Sequence, residues 1–339
     1  MLTTPTLLVV GAGASADLGF PVGVALRDRI STLLDLKFHG AQFEGPDQEF
    51  ADFLGNWCFA ANVKHHELWQ AATSVSRSLP LSASIDSYLD SHLKHPLRSA
   101  CGKLAIARAI SVAENNCALV CNNDREAANF DFRPLSSTWY QRLWSILQTG
   151  VTPENPQKAF TNLRIITFNY DRNIERFLQL AYAQFLDVPL HVALSHVEEL
   201  GITHVYGSLG RLEAHPDTSR SYRTAGYTIE LPAAADEILT YTEQVNSETT
   251  EHIRQLVWDT QRIVFLGFSF GAANMNLLAE AVGGREVQRQ VYATTYGLSP
   301  EAIEHVRLRL DALFSRNYSL ANLRSDKAAD FFDRYAGVF

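Results

Sequence analysis

The stretch LLVVGAGASADLGFPVG, residues 7 to 23, decides the fold of this chain. Its apolar start predicts a buried strand, the small residues from Gly11 to Ala16 predict a tight turn, and a helical pattern follows. The spacing fits G-x-G-x-x-G/A, in which glycines let a pyrophosphate approach the backbone at a helix start. The motif is short, so two interpretations stay open: a nucleotide-binding loop, or only a strand-to-helix turn.

A dehydrogenase fingerprint has a second half, and this sequence does not fit it. An acidic residue about 20 positions further on, at the end of a second strand, holds the ribose of the dinucleotide. Asp35 lies 22 residues after Gly13, but it falls inside the predicted helix and no strand precedes it. The loop therefore favours a nucleotide site of another kind over that of a simple dehydrogenase.

Strand-like and helical segments alternate along much of the chain. The strand-like segments are residues 7–10, 163–168, 202–206, 262–268 and 291–295. The helical patterns are residues 22–36, 173–183 and 298–314. Nearly continuous apolar strands are typical of a parallel sheet that is buried on both faces. We therefore predict the α/β class, with a Rossmann-like doubly wound parallel sheet.

One region interrupts this alternation. Residues 38–158 are rich in aromatic residues and alanine, and they have helical rather than strand periodicity. We expect a single domain over residues 1–339, in which this helical subdomain is inserted into a core made of residues 1–37 and 159–339. Residues 211–250 are polar and predict a surface excursion, such as a lid or an interface.

Composition and charge exclude several classes of protein. With 46% hydrophobic and 19% charged residues the chain is globular, and its net charge of −8 disfavours a nucleic-acid partner. No basic segment precedes Asp17, and no uncharged apolar run reaches the roughly 18 to 20 residues of a membrane span. We expect a cytoplasmic protein without a membrane partner.

The cysteines do not predict a metal site. The chain has four, Cys58, Cys101, Cys117 and Cys121, and only the last two are closely spaced. A zinc site made of four thiolates needs two such pairs. We therefore expect free thiols in a reducing compartment, and no metal.

Two further motifs place polar side chains after predicted strands. ITFNYDRNIERF, residues 166–177, has Asn169 and Asp171 at a strand end, where each could also serve as a turn residue or a helix cap. THVYGSLG, residues 203–210, has His204 and Tyr206 two positions apart, hence on one face of a strand. A hydrogen-bonded structural histidine is the alternative there.

A fourth loop, FLGFSFGAAN at residues 265–274, is again rich in small residues. Its Gly267 and Ser269 could hold a phosphate or a ribose. Because the carboxyl ends of parallel strands meet at one edge of a sheet, we expect all four loops to be neighbours. Ligands of open α/β sheets bind at this edge.

The ordered set of motifs resembles the sirtuin-like (silent information regulator 2-like) family, in particular its divergent bacterial branch in anti-phage defence. The matching segments are 11–15, 19–21, 84–89, 168–171, 206–209 and 266–270, which span most of the chain. The resemblance implies NAD+ as the substrate, bound in a cleft between the sheet and the helical subdomain. It also implies hydrolysis of the nicotinamide–ribose bond by an NAD+ glycohydrolase (NADase), which depletes NAD+ when a phage is sensed.

The resemblance assigns a set of residues to NAD+ binding. They are Gly11, Ala12, Gly13, Ser15, Pro21, Asp86, Asn169, Gly207, Ser208, Gly267 and Ser269. Backbone N–H groups of Gly11, Gly13 and Ser15 would meet the pyrophosphate. The loop with Gly267 and Ser269 would hold the adenosine side.

Four residues are candidates for catalysis. Asn169 would orient the attacking water or the ribose hydroxyls, and Asp171 would orient neighbouring groups. The family usually has a histidine just before the Gly-Ser turn, where this chain has Tyr206. His204 is therefore the candidate base, because an ordinary histidine pKa of about 6.5 suits proton transfer near neutral pH. Tyr206 is the other candidate for that place.

Other departures from the family bear on the reaction. Sirtuin deacylases hold zinc with two cysteine pairs, which this chain lacks, and Val22-Gly23-Val24 stands where they have Asp-Phe-Arg. A deacylase or an ADP-ribosyltransferase is therefore less favoured. Tyr206 in place of the usual histidine favours another alternative, a non-catalytic sensor or scaffold that binds NAD+ or ADP-ribose.

The resemblance also implies partners. We expect a homo-oligomer, together with a HerA-type ATPase or another defence partner. The sequence adds an aromatic C-terminal end with Phe331, Phe332, Tyr335 and Phe339. These rings could pack between subunits, or they could close the core of one subunit.

Overall fold

The centre of the molecule is a six-stranded sheet in which all strands run parallel. The structure is a computed structural model that describes residues 2–212, 231–244, 247–279, 289–314 and 318–338. The strands of this sheet are β1 (Thr6–Val10), β4 (Leu163–Thr167), β5 (Thr203–His204), β6 (Arg262–Leu266), β7 (Arg289–Thr294) and β8 (Tyr318–Arg324). A separate antiparallel hairpin pairs β2 (Lys37–His39) with β3 (Gln42–Glu44).

The order of the strands identifies the topology. Across the sheet it is β5-β4-β1-β6-β7-β8. When the six strands are counted along the chain, this is the order 3-2-1-4-5-6 of the Rossmann fold. The predicted Rossmann-like parallel sheet is confirmed.

The strands that the sequence predicts best are those buried on both faces. β1 lies between β4 and β6, and its residues Leu7 to Val10 are at most 1% exposed. The strand predicted at 202–206 is shorter than expected, because pairing with β4 ends at His204 and the chain turns at Val205 and Tyr206. β8 was not predicted, because its sequence YSLANLR mixes polar and apolar residues and lacks a continuous apolar run.

Helices flank the strands along the chain. Those in the described part are α1 (Val24–Leu33), α2 (Gln48–Ala60), α3 (His65–Ser78), α4 (Ile85–Ser91), α5 (Pro96–Asn116), α6 (Asp124–Ala128), α7 (Trp139–Leu147), α8 (Asn173–Leu186), α9 (Leu190–Leu200), α10 (Leu231–Asp236), α11 (Tyr241–Gln244), α12 (Glu248–Asp259), α13 (Ala272–Leu278), α14 (Pro300–Leu313) and α15 (Ala328–Tyr335).

The three predicted helices are α1, α8 and α14, with ends that local chemistry sets. α1 begins later than predicted, after Gly23, whose φ of 45° suits glycine. α8 runs further than predicted, to Leu186, and Asp187 after it caps the helix with a left-handed backbone. α14 is capped by the side chain of Ser299, which accepts the N–H of Ala302.

The region between α1 and β4 contains the β2–β3 hairpin and then six helices, α2 to α7. These helices pack onto the sheet-bearing part: α5 lies against α1, and α7 lies against α8 and α15. Trp139 of α7 donates its indole N–H to the carbonyl of Ala14 at 2.8 Å. Buried residues of both parts form one hydrophobic core, so this region helps to fix the loop that follows β1.

The polar segment predicted at 211–250 is described only in part, because residues 213–230 and 245–246 lie outside the described residues. Its described part contains α10 and α11, and Leu239 donates its N–H to the carbonyl of Tyr206 at 3.0 Å. No helix in the described ranges is long and apolar enough to cross a membrane.

The aromatic C-terminal end packs into the core. Phe331 and Phe332 are 2% and 1% exposed. The ring of Phe332 stacks on Trp139 with centroids 6.2 Å apart, and that of Phe331 lies 5.8 Å from Tyr292. These two rings therefore close the core of a single chain and lend no support to a subunit interface. Phe339 lies outside the described residues.

Candidate functional site

Three loops meet at the carboxyl edge of the sheet. β1, β4 and β6 are neighbours there, and the loops that follow them begin at Gly11, Phe168 and Gly267. The order of the strands reverses between β1 and β6, so this is the topological switch point, where open α/β sheets bind ligands. The predicted loops are thus brought to the edge that the sequence indicated.

Glycines let the loops after β1 and β6 touch. Gly11 donates its N–H to the carbonyl of Leu266, and Gly13 donates its N–H to that of Gly267, each at 2.9 Å. A Cβ on Gly13 would lie 2.9 Å from the Cα of Gly267, and a Cβ on Gly267 would lie 2.1 Å from the nitrogen of Ala14. Neither distance is tolerable, so this contact requires glycine on both sides.

This contact changes the role predicted for two of the loop amides. The N–H groups of Gly11 and Gly13 were expected to face a pyrophosphate, but in this structure both donate to main-chain carbonyls. Gly13 and Ser269 are nevertheless exposed at the edge of the sheet. Ala12 is half-buried and begins the 3-10 helix Ala12–Leu18, where a first-turn N–H has no partner within the helix.

Asn169 links the loops after β1 and β4 through its side chain. Its Nδ2 donates to the carbonyl of Gly11 at 3.2 Å and to Oγ of Ser15 at 2.9 Å. Ser15 donates in turn to Oδ2 of Asp171 at 2.8 Å, and Asp171 accepts the N–H of Asn173 through Oδ1 at 3.3 Å. Two predicted site residues from each loop therefore form one buried polar network.

One acceptor in this network is unfilled. Asn169 is only 5% exposed, and among the described residues its side-chain oxygen Oδ1 is shielded and has no hydrogen-bond partner. A buried polar atom without a partner costs about 1–3 kcal/mol. The amide of Asn169 is thus held by its two donor contacts, to Gly11 and Ser15, and its acceptor Oδ1 is not engaged by any described residue.

Asp171 is a carboxyl group that titrates near neutral pH. Burial raises the pKa of Asp171 to about 7, although the hydroxyl of Ser15 lowers it and the charge of Glu114 raises it. The buried phenol of Tyr140, on α7, has a raised pKa because of burial and the nearby charge of Asp171. Around neutral pH, the network therefore alternates between a neutral and an anionic form.

His204 is held at both ring nitrogens. Nδ1 lies 3.0 Å from the main-chain carbonyl oxygen of Asn169, and Nε2 lies 2.5 Å from Oε1 of Glu175. Burial opposes the charged ring, but the carboxylate of Glu175 and the carbonyl of Asn169 raise the pKa of His204 overall. Both partners accept hydrogen bonds, so the ring donates from both nitrogens and has none free to take a proton. The predicted role of His204 as a base does not fit this geometry.

Tyr206 does not share a face with His204, because strand β5 ends at His204. The hydroxyl of Tyr206 donates to Oδ1 of Asn274 on α13 at 2.7 Å, and its ring packs edge-on against Phe168. Burial raises the pKa of Tyr206 well above its usual value, and the charge of Asp86 raises it further. Tyr206 is therefore no base near neutral pH either.

The turn after Tyr206 is fixed by its glycine. Gly207 has a φ of 73°, and a Cβ there would lie 1.8 Å from the carbonyl oxygen of Glu237. The hydroxyl of Ser208 bonds within the turn, to the main-chain groups of Gly210. These two predicted binding residues thus have structural partners within the described part of the chain.

Asp86, which the resemblance assigns to NAD+ binding, lies beside the loop after β4. The hydroxyl of Tyr170 donates to Oδ1 of Asp86, on α4. Burial raises the pKa of Asp86, and the bond from Tyr170 lowers it in part. Pro21 is half-buried between the 3-10 helix and α1.

Two features of the site were missed because they join residues far apart in the sequence. Glu175 lies on α8 and contacts the side chain of His204 at the end of β5. Arg172 donates to both carboxylate oxygens of Glu114, at 2.6 and 3.2 Å, and these two side chains are 1% and 0% exposed. This ion pair fixes the loop with Asn169 onto α5, and no local pattern predicts it.

A cavity of about 480 Å³ opens beside β5. Its polar lining includes Glu175, His204 and Ser208, and its apolar lining includes Leu194 and Val197. Among the described residues, neither the glycine loop nor the loop after β6 lines it. Arg172, in the loop after β4, also lines the cavity, so the cavity adjoins one of the three loops and not the other two.

In the described ranges, no group of three or more His, Cys, Asp or Glu side chains is arranged to hold a metal ion. All four cysteines are buried with free thiols. Neither the known protein-family models nor the curated protein sequences match this chain.

Proposed function

We propose that this chain binds NAD+ at the carboxyl edge of β1, β4 and β6 and hydrolyses its nicotinamide–ribose bond. The Rossmann topology and the switch point support a nucleotide at this edge. The motifs that resemble the sirtuin-like family support the reaction. The observation that carries the proposal is the buried Asn169–Ser15–Asp171 network, in which Oδ1 of Asn169 is an unfilled acceptor.

The reaction needs positioning more than it needs acid or base. Breaking the bond builds positive charge on the ribose carbon, and nicotinamide leaves as a neutral molecule. The site must hold the ribose and orient one water, whose attack yields ADP-ribose and a proton. In the proposal, Asn169 accepts a hydrogen bond from the ribose or the water through Oδ1, and Asp171 orients Asn169 through Ser15.

Substrate must open the edge of the sheet to reach Asn169. Oδ1 of Asn169 is shielded from solvent, and the glycine loop is hydrogen-bonded to the loop after β6. In the proposal these two loops separate, which frees the N–H groups of Gly11 and Gly13 for phosphate. Exposed Gly13 and Ser269 mark the entrance.

The wider setting is proposed on the resemblance alone. Residues 38–158 would form an inserted subdomain that makes the second wall of the cleft. The chain would act as a homo-oligomer in the cytoplasm, with a HerA-type ATPase or another defence partner, and would deplete NAD+ when a phage is sensed.

A second candidate function is an NAD+ or ADP-ribose sensor that does not cleave its ligand. It is favoured by one observation: the ring nitrogens of His204 and the hydroxyl of Tyr206 are all engaged by protein groups. No side chain of the β5 strand or its turn is then left to act on water.

Incubating the purified chain with NAD+ separates these candidates. Nicotinamide and ADP-ribose are followed by chromatography, and NAD+ binding is followed by calorimetry. Release of nicotinamide without any acceptor supports hydrolysis, and binding without release supports the sensor. Release only when a protein or acyl acceptor is added supports a transferase or deacylase, and absence of binding rejects all three.

A further inference from the structure

Asn169 is held from two sides. Its side chain donates to Gly11 and Ser15, and its main-chain carbonyl accepts from Nδ1 of His204 at 3.0 Å. The His204 ring is itself fixed by Glu175 at 2.5 Å. A chain of contacts thus runs from α8, through the end of β5, to the backbone of the proposed catalytic loop.

We propose that Glu175 and His204 are a positioning pair, which sets the place of Asn169 by holding its main-chain carbonyl. The pair does not touch the reacting atoms. Its kinetic consequence rests on the proposed hydrolysis, whereas its structural consequence does not.

The Glu175–His204 pair contacts the loop after β4 at the point where the pairing between β4 and β5 ends. Strands β4 and β5 are paired at Ile166 with Thr203 and at Thr167 with His204, and the N–H of Val205 donates to Thr167. Beyond that point β5 turns away, so no strand bond from β5 reaches Asn169. The His204 side chain supplies the missing donor.

His204 is the one hydrogen-bond partner of the Glu175 carboxylate in the described part of the chain. Its Oε1 contacts His204, and its Oε2 is shielded and has no partner among those residues. The carboxylate of Glu175 raises the pKa of His204 and so favours the doubly protonated ring, in which the other nitrogen also carries a proton. Here that other nitrogen faces the carbonyl of Asn169, which requires a donated N–H.

Several charged groups lie around the His204 ring and influence its titration. The charge of Asp171, in the loop after β4, raises the pKa of His204. The charged groups that line the adjoining cavity are Glu175, Arg172, Glu198, Arg211 and Glu237. Apart from Glu175, all of these groups are retained in the Glu175 variants. Their effect on the titration of His204 is therefore the same in the wild type and in those variants.

The chain offers a matched control in a second histidine–glutamate pair. Nδ1 of His196 lies 3.2 Å from Oε2 of Glu199, both on α9, and the Glu199 side chain is 71% exposed. Glu199→Ala removes the same chemical contact without touching the loop of Asn169.

The test uses ring ¹⁵N NMR of His204, hydrogen exchange of the Asn169 side-chain N–H₂, and the kinetics of nicotinamide release. In Glu175→Ala we expect His204 to lose its proton at lower pH and the Asn169 N–H₂ to exchange faster. We expect kcat to fall about 10- to 100-fold, the usual cost of losing an orienting partner, with KM within about twofold. Glu175→Gln keeps one hydrogen bond and should lose less, and Glu199→Ala should change nothing.

Each outcome decides the proposal. The proposed positioning pair is rejected if Glu175→Ala leaves either the His204 titration or the hydrogen exchange of the Asn169 side-chain N–H₂ unchanged. This holds even if the wild type releases no nicotinamide. If the wild type is inactive but both NMR changes appear, the hydrolysis proposal fails and the pair stands. If the wild type is active and Glu175→Ala keeps its kcat, the positioning role is overturned.

Discussion

At the scale of single residues, the site depends on how Asn169 is held. The amide uses both of its donor directions within the protein, to Gly11 and Ser15, and keeps one acceptor unfilled. That arrangement is costly for stability alone. It is reasonable for a group whose acceptor is used by a ligand.

Replacing this amide should affect activity and stability together. Asn169→Ala should abolish nicotinamide release, because no other group of the network offers that acceptor. It should also lower the free energy of unfolding by about 1–3 kcal/mol, because Ser15 and the Gly11 carbonyl lose a buried partner. Nicotinamide assays and thermal melts measure both. Asn116→Ala, at an exposed helix end, is the control, and near wild-type turnover in Asn169→Ala would place the site elsewhere.

Asp171 makes stability depend on pH in a defined direction. Burial raises the pKa of Asp171 to about 7 from its ordinary value of 3.8, so the folded chain binds this proton more tightly than the unfolded chain. Its contribution to stability is therefore full below about pH 4 and is lost as the pH rises to about 7. The pKa of His204 is also raised, so its contribution to the free energy of unfolding is likewise lost as the pH rises, but above pH 6.5.

The matching experiment is urea unfolding between pH 4.5 and 8. The stability of the wild type, measured relative to Asp171→Asn, should fall as the pH rises toward 7. His204 is present in both proteins, so the difference reports the titration of Asp171 together with the effect that its charge has on His204. Asp187→Asn, at the exposed end of α8, should follow the wild type. A difference that is flat or rises with pH contradicts the buried, protonated carboxyl.

At the scale of elements, the glycine loop and the loop after β6 act as one contact. This gives the glycines at 11, 13 and 267 a packing role that stands beside any role in binding. A substitution at Gly13 therefore tests packing before it tests phosphate.

Gly13→Ala should destabilise the chain even without a nucleotide. The added Cβ would lie 2.9 Å from backbone atoms of Gly267, which cannot swing away as a flexible side chain could. Overpacking of this kind costs about 1–3 kcal/mol. Thermal melts of Gly13→Ala and Gly337→Ala measure it, since a Cβ at Gly337 meets nothing within 4 Å. Equal melting temperatures for the two variants would mean that the loops after β1 and β6 can move apart without loss of stability.

Elements also show what the sequence could and could not predict. Continuous apolar runs predicted β1, β4, β6 and β7, because a strand buried on both faces leaves that pattern. The polar sequences of β8 and of the hairpin with Phe38 and Phe43 leave no such pattern. The motifs predicted that the loops with Ser15 and Asn169 would be neighbours, but not that these two side chains would be hydrogen-bonded. They did not predict Glu175 beside His204, because that pair depends on where β5 ends.

At the scale of the whole molecule, one core joins the two ends of the chain. Phe332 of α15 stacks on Trp139 of α7, and Trp139 donates to the carbonyl of Ala14 in the glycine loop. The C-terminal helix therefore supports the candidate site through one intermediate helix.

Phe332→Ala tests whether this packing lies within one chain. The ring is 1% exposed, so its loss should lower the free energy of unfolding by about 3–5 kcal/mol. If the contact is internal, the drop in melting temperature is the same at every protein concentration, and light scattering gives the wild-type mass. Phe59→Ala removes a ring that is 86% exposed and should cost almost nothing. A loss that grows on dilution, or a smaller particle for Phe332→Ala, would instead place this ring between subunits, because only a contact between chains responds to concentration.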